Sequence, residues 1–113
     1  MTEQRSEKRR QLNRSLLVYD GISSRIVGRV VDLTLKGMML VCGEPVWIQE
    51  EYRLRITFPD PIDKRTELSI QAVCRWCRED AEPENFVAGF QFQKLLMEER
   101  RFLSRLIDET GSF

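Results

Sequence analysis

Hydrophobic and polar positions alternate with period two over most of the chain and switch to a helical period near its end. Tyr52, Leu54, Ile56 and Phe58 point one way while Arg53, Arg55 and Thr57 point the other, the signature of a half-buried strand. Leu68, Ile70, Ala72, Cys74 and Trp76 repeat the pattern, and so do Phe86, Ala88, Phe90 and Phe92. Earlier, Leu16–Tyr19 ends at the turn dipeptide Asp20-Gly21. The β-branched run Ser24–Thr34 breaks at Lys36-Gly37 and resumes over Met38–Cys42, which stops at Gly43-Glu44-Pro45. PDPIDKR and EDAEPEN read as loops. From Leu95 to Ile107 the apolar residues Leu95, Leu96, Phe102, Leu103, Leu106 and Ile107 fall on one helical stripe, with Gly111 as a stop. These elements predict a mainly β fold, a six-stranded antiparallel β-barrel with a C-terminal α-helix at about residues 95–109, which removes exposed sheet edges by closing.

Before the first strand the texture differs. Residues 1–14 are polar apart from Met1 and Leu12, and carry Arg5, Lys8, Arg9, Arg10 and Arg14 against Glu3 and Glu7. Such a segment buries too little apolar surface to offset its ordering entropy, so the sequence predicts a flexible N-terminal arm over 1–14 and one barrel domain over 15–113.

Composition then removes several functions. Lys plus Arg equals Asp plus Glu at 18 each, so no net charge favours DNA, RNA or a membrane, and any anion site is local. No apolar run of membrane-spanning length occurs, and no secretory leader is visible. Three cysteines without a leader predict reduced thiols and a cytoplasmic location. The chain has no histidine, which takes away the commonest general base and zinc ligand, and no enzyme chemistry, metal or cofactor is expected. Cys74-Arg-Trp-Cys77 has redox or metal spacing, but residues three apart on a regular strand face opposite ways, so both are read as structural. The acidic pairs Glu50-Glu51 and Glu79-Asp80, and Glu82 with Glu84, lie in or beside predicted turns and read as solvated.

Two segments remain. Arg9-Arg10-Gln-Leu-Asn-Arg14 stands just before the first strand, and Asp32-Leu-Thr34-Leu-Lys-Gly37 stands at the strand break. Arginine forms forked hydrogen bonds to phosphate and can stack on or bond to guanine. An aspartate carboxylate only accepts, which suits the N1 and N2 donors of guanine, and a hydroxyl two residues on shares its face. Together they suit a guanine nucleotide.

Arg10-x-x-x-Arg14 followed by Asp32-x-Thr34-x-x-Gly37 resembles the PilZ family, whose signature is RxxxR and then (D/N)xSxxG on a later strand. Val73-Cys-Arg-Trp76 and Val87-Ala-Gly-Phe-Gln-Phe92 resemble that family's late strands. The resemblance implies a receptor for cyclic di-GMP that signals to a partner protein. It assigns Arg10 and Arg14 to phosphates and guanine Hoogsteen edges, Asp32 to a guanine edge, Thr34 to a phosphate, and Gly37 to leaving room. It associates Arg9 with two intercalated ligands instead of one. Thr34 departs from the usual serine, and its extra methyl restricts χ1, which predicts weakened affinity. The alternative within the family is a barrel that binds no nucleotide and works through protein contacts alone.

Overall fold

The computed structural model describes residues 16–110. The expected arm over 1–14, with Arg9, Arg10 and Arg14, and the expected stop at Gly111 lie outside the described residues. Six strands follow in order: β1 (Leu17–Asp20), β2 (Ile26–Leu33), β3 (Gly37–Cys42), β4 (Glu51–Ile62), β5 (Arg65–Glu79) and β6 (Phe86–Phe92). They are followed by a single helix, α1 (Met97–Thr110). All pairings are antiparallel and the sheet closes in the order β1-β2-β3-β6-β5-β4. The six-stranded barrel with a C-terminal helix is the fold the alternation predicts.

The alternating residues fill the interior. Val18, Val30, Leu40, Leu54, Ile56, Leu68, Ala72, Cys74, Ala88 and Phe90 are buried, and α1 adds Phe102, Leu103 and Leu106. The helix lies against the β4–β5 hairpin. Phe102 meets Phe58 at 5.9 Å between ring centroids, the Arg65 guanidinium lies 4.3 Å from the Phe102 ring, and Arg105 Nη1 donates to Asp63 Oδ1 at 3.0 Å.

Two segments differ from the sequence reading. The PDPIDKR segment is mostly strand: β4 runs on to Ile62, and the turn shrinks to Asp63-Lys64, both at positive φ (52° and 68°). Two consecutive positive-φ residues are what a tight hairpin needs to match strand twist. The register breaks between Thr57 and Ile62, where Pro59 and Pro61 have no N–H to give a ladder. Leu96 is 68% exposed and off the buried stripe. Its N–H donates to Glu99 Oε1 at 2.8 Å and its carbonyl accepts from Arg100 N, so Leu96 caps the helix instead of packing beneath it.

Candidate functional site

Two bulges decide which residues reach the outer face. In β2, Val30 pairs with Leu40 and Asp32 with Met39, so Val31 is an extra residue. Gly28 and Val30 are buried. Strict alternation would send Asp32 inward after them. The bulge shifts the phase, so that Leu33 turns in and the half-buried Asp32 turns out. In β5, Cys74 pairs with Phe90 and Trp76 with Gly89, which makes Arg75 the extra residue.

The register then sets a row across four strands. Asp32 is opposite Met39, Met39 opposite Gly89, and Gly89 opposite Trp76. Adjacent strands lie about 4.8 Å apart, so the row spans roughly 14 Å, the scale of a dinucleotide. Gly89 makes this row shallow: a Cβ there would overlap the Trp76 indole at Nε1 and Cε2, so the ring lies directly over the glycine. The Arg78 guanidinium lies over the same ring, 4.6 Å from its centroid. A depression of about 250 Å³ results, lined by Asp32, Thr34, Gly37, Met39, Trp76 and Gln91, with Arg75 at its β5 side.

Asp32, Thr34 and Gly37 are thus brought together. Asp32 has no hydrogen-bond or ion-pair partner among the described residues, so its carboxylate faces the depression with its acceptors available. Thr34 behaves differently from the expectation. Its Oγ1 accepts from Lys36 N at 3.1 Å and Gly37 N at 3.2 Å, and donates to Gly37 O at 3.3 Å. One donor and two lone pairs are all a hydroxyl has, so this one closes the β2–β3 turn, where Thr34 N also donates to Gly37 O at 2.9 Å. Gly37 likewise serves the barrel: an added Cβ would collide with the Phe90 carbonyl oxygen of β6.

Arg9, Arg10 and Arg14 lie outside the described residues. What the described chain fixes is its own starting point. Leu16 O accepts from Val30 N at 2.9 Å, which puts Leu16 two residues along β2 from Asp32. Arg14 is two residues before Leu16 in sequence, a separation of about 7 Å at most.

Sequence reasoning did not assign Arg75, Trp76, Met39 or Gln91 to the site. A tryptophan opposite a glycine on a neighbouring strand is a usable signal, but only once the β5–β6 register is known. The same bulge corrects the reading of the cysteines. Cys74 and Cys77 do not face opposite ways, because the phase shift at Arg75 brings Cys77 back to the inner side. Cys77 packs against the core and its Sγ accepts from Val46 N at 3.5 Å, while Cys74 Sγ donates to the Trp76 carbonyl at 3.4 Å. All three cysteines are free thiols. Burial, with the Cys77 and Cys74 thiols nearby, pushes Cys42 up to about 12, and burial raises Cys74 as well. Among the described residues no cluster of three or more Cys, Asp or Glu could hold a metal, and no helix is long and apolar enough to cross a membrane.

A second concavity, of about 930 Å³, lies beyond the row, between the β1–β2 and β3–β4 connections. It is lined by Leu17, Val27, Val41, Val46 and Tyr52 among others. Ile22, Trp47 and Ile48 on these two connections, and Ile26 at the start of β2, are exposed.

The model of the PilZ domain family matches residues 3–109. Among solved structures, the PilZ domain with c-di-GMP of YcgR from Escherichia coli superposes with a TM-score of 0.66 at 13% identity, covering 86% of this chain and 81% of that one. The Bacillus subtilis inhibitor of motility (MotI/DgrA) gives 0.65 at 17% identity over 84% of this chain. This chain spans less than half of that protein, 46% of its length. At these identities the likeness is one of fold. No curated protein matches the chain.

Proposed function

The chain belongs to the PilZ domain family, and on that premise we propose that it is a non-enzymatic receptor for cyclic di-GMP. Arg10 and Arg14 grip the phosphates and guanine edges, Arg9 stands beside them, Asp32 accepts from a guanine edge, and Thr34 and Gly37 hold the β2–β3 turn that carries Asp32. The observation that carries this reading is the outward row from Asp32 to Trp76. It offers a carboxylate that has no partner among the described residues for guanine donors, a stacked Trp76–Arg78 pair against which a base can lie, and a chain start within reach of the arginine motif. Charge-assisted hydrogen bonds of about 1.5–3 kcal/mol each and stacking of about 1–3 kcal/mol per base exceed an association cost of at least about 4 kcal/mol and an ordering cost of about 2–5 kcal/mol. A micromolar constant, about −8 kcal/mol, follows. Closing the arginine segment onto the barrel wall presents a partner protein with a new surface.

Calorimetry of cyclic di-GMP against the wild type, Arg10→Ala and Arg14→Ala tests this. Micromolar binding by the wild type and loss in both variants is expected. Unchanged affinity in either variant removes that residue from the site.

One observation favours a second reading. Two of the large apolar side chains exposed in the described residues, Ile26 and Trp47, line a single groove, and the exposed Ile22 and Ile48 lie close to them in sequence, as on a barrel that works through protein contacts alone. That reading requires that cyclic di-GMP leave the protein unaffected in the same titration.

A further inference from the structure

Three of the four arginines whose guanidinium has a described hydrogen-bond or ion-pair partner meet a carboxylate. Arg55 Nη1 reaches Glu67 Oε1 at 2.9 Å, Arg105 Nη1 reaches Asp63 Oδ1 at 3.0 Å, and Arg25 Nη2 lies 3.7 Å from Glu44 Oε1. Arg75 is held differently. Its Nε donates to Gln91 Oε1 at 2.7 Å and its Nη1 to Gln49 Oε1 at 2.9 Å. Both acceptors are neutral amides, and among the described residues no carboxylate pairs with it. Two of five N–H donors are used and three remain. Among the described residues the guanidinium therefore has no counter-charge, and it has an open edge at the wall of the depression that Asp32 also lines. Two glutamines already fix its orientation, so little rotamer freedom is left to lose on binding. A phosphate oxygen is a stronger acceptor for this fork than an amide oxygen.

Gln49 gives this exchange a consequence. It sits at φ 63° in the β3–β4 connection, its backbone N–H donates to Cys74 O at 2.6 Å, and Cys74 N donates to Glu50 O at 3.2 Å. The connection is thus pinned to β5 one residue from Arg75. Trp47 and Ile48, 78% and 53% exposed, immediately precede Gln49. We propose that Arg75 takes a ligand phosphate in place of the Gln49 amide, and that this exchange carries occupancy of the depression to the connection holding Trp47 and Ile48. The inference rests on the nucleotide reading above and deepens it: a phosphate-binding arginine on β5 works beside those of the N-terminal segment, and the apolar loop becomes the element that reports the ligand.

The test uses the full chain, cyclic di-GMP, calorimetry and hydrogen exchange over residues 43–50. Arg75→Gln should weaken binding roughly tenfold to hundredfold, the range of a lost charge-assisted hydrogen bond, with an unchanged melting temperature because the residue is exposed. Arg75→Lys keeps the charge without the fork and should fall between. Gln49→Gly, chosen because glycine accepts the positive φ, should bind at least as tightly as the wild type while its loop no longer responds to ligand. Wild-type affinity in Arg75→Gln overturns the phosphate role, and a ligand response of residues 43–50 that persists in Gln49→Gly overturns the coupling. Either result leaves the nucleotide reading standing if the wild type binds. A wild type that does not bind removes both together.

Discussion

Gly37→Ala separates what the barrel asks of the motif from what a ligand asks of it. The three atoms that an added Cβ would meet are all backbone atoms of β6: the Phe90 oxygen, far inside the 3.0 Å that Cβ contacts respect, the Phe90 carbon at 3.2 Å and Gln91 Cα at 3.3 Å. None can rotate away, so β3 and β6 must part where Gly37 pairs with Gln91. Close by are the Phe92 N to Lys36 O bond at 2.9 Å and the Thr34 N to Gly37 O bond that closes the turn. Overpacking of this kind costs about 1–3 kcal/mol, and loosening one or two backbone bonds adds about 0.5–1.5 kcal/mol each. The lower entropy of alanine in the unfolded chain returns about 0.4–1 kcal/mol. A net loss of about 2–3 kcal/mol lowers the melting temperature by roughly 10 °C or more. Thermal unfolding followed by circular dichroism without nucleotide is the assay. Gly43→Ala is its control, since nothing lies within 4 Å of a Cβ there and its φ is not in the left-handed region. A Gly37→Ala protein that melts within about 3 °C of the Gly43→Ala control would refute the reasoning, and the glycine would then belong to the ligand alone.

Asp32→Ala should lower cyclic di-GMP affinity. The wild type should discriminate strongly against cyclic di-AMP, because adenine has an acceptor at N1 and no N2 amine; equal affinity for the two nucleotides in parallel titrations would reduce recognition to electrostatics. Native alkylation at pH 8 should spare Cys42, whose thiol is pushed up to about 12, leaving a thiolate fraction on the order of 10⁻⁴; peptide mass spectrometry should find it modified only after denaturation. The hydrogen bonds from Ser23, at 2.6 Å from Oγ and 3.0 Å from the backbone N, lower the Asp20 pKa. The stability they contribute is therefore complete above the unfolded value of about 3.9 and lost as pH falls through the folded one. Urea midpoints of wild type and Asp20→Asn should differ at pH 7 and converge in acid, and a gap that stays constant with pH contradicts the assignment.

The strands were legible where one phase of the alternation is apolar and the other polar. Tyr52 to Phe58 is such a stretch, and there the inward residues Leu54, Ile56 and Phe58 are buried as expected. The two bulges were not legible, and they are what builds the site. Around Val30-Val31-Asp32-Leu33 both phases contain apolar residues, so the pattern does not say which valine is the extra one. Around Cys74-Arg-Trp-Cys77, cysteine, arginine and tryptophan all tolerate half-buried positions, so the phase change leaves no mark, and reading on without it sent Cys77 to the wrong face. Tertiary closure supplies the missing information. Met39 on β3 and Gly89 on β6 pair without interruption, and β2 and β5 on either side must each accommodate one extra residue against them. That residue lets the strand keep its core side chain, Val30 or Cys74, and still turn Asp32 or Trp76 outward along the same row. A deletion of Val31 or Arg75 would therefore leave Val30 followed directly by Asp32, or Cys74 by Trp76, so that plain alternation keeps the same faces and only the local kink and twist of the bulge are lost. Spacing within a motif specifies a site only together with the register of the strand that carries it.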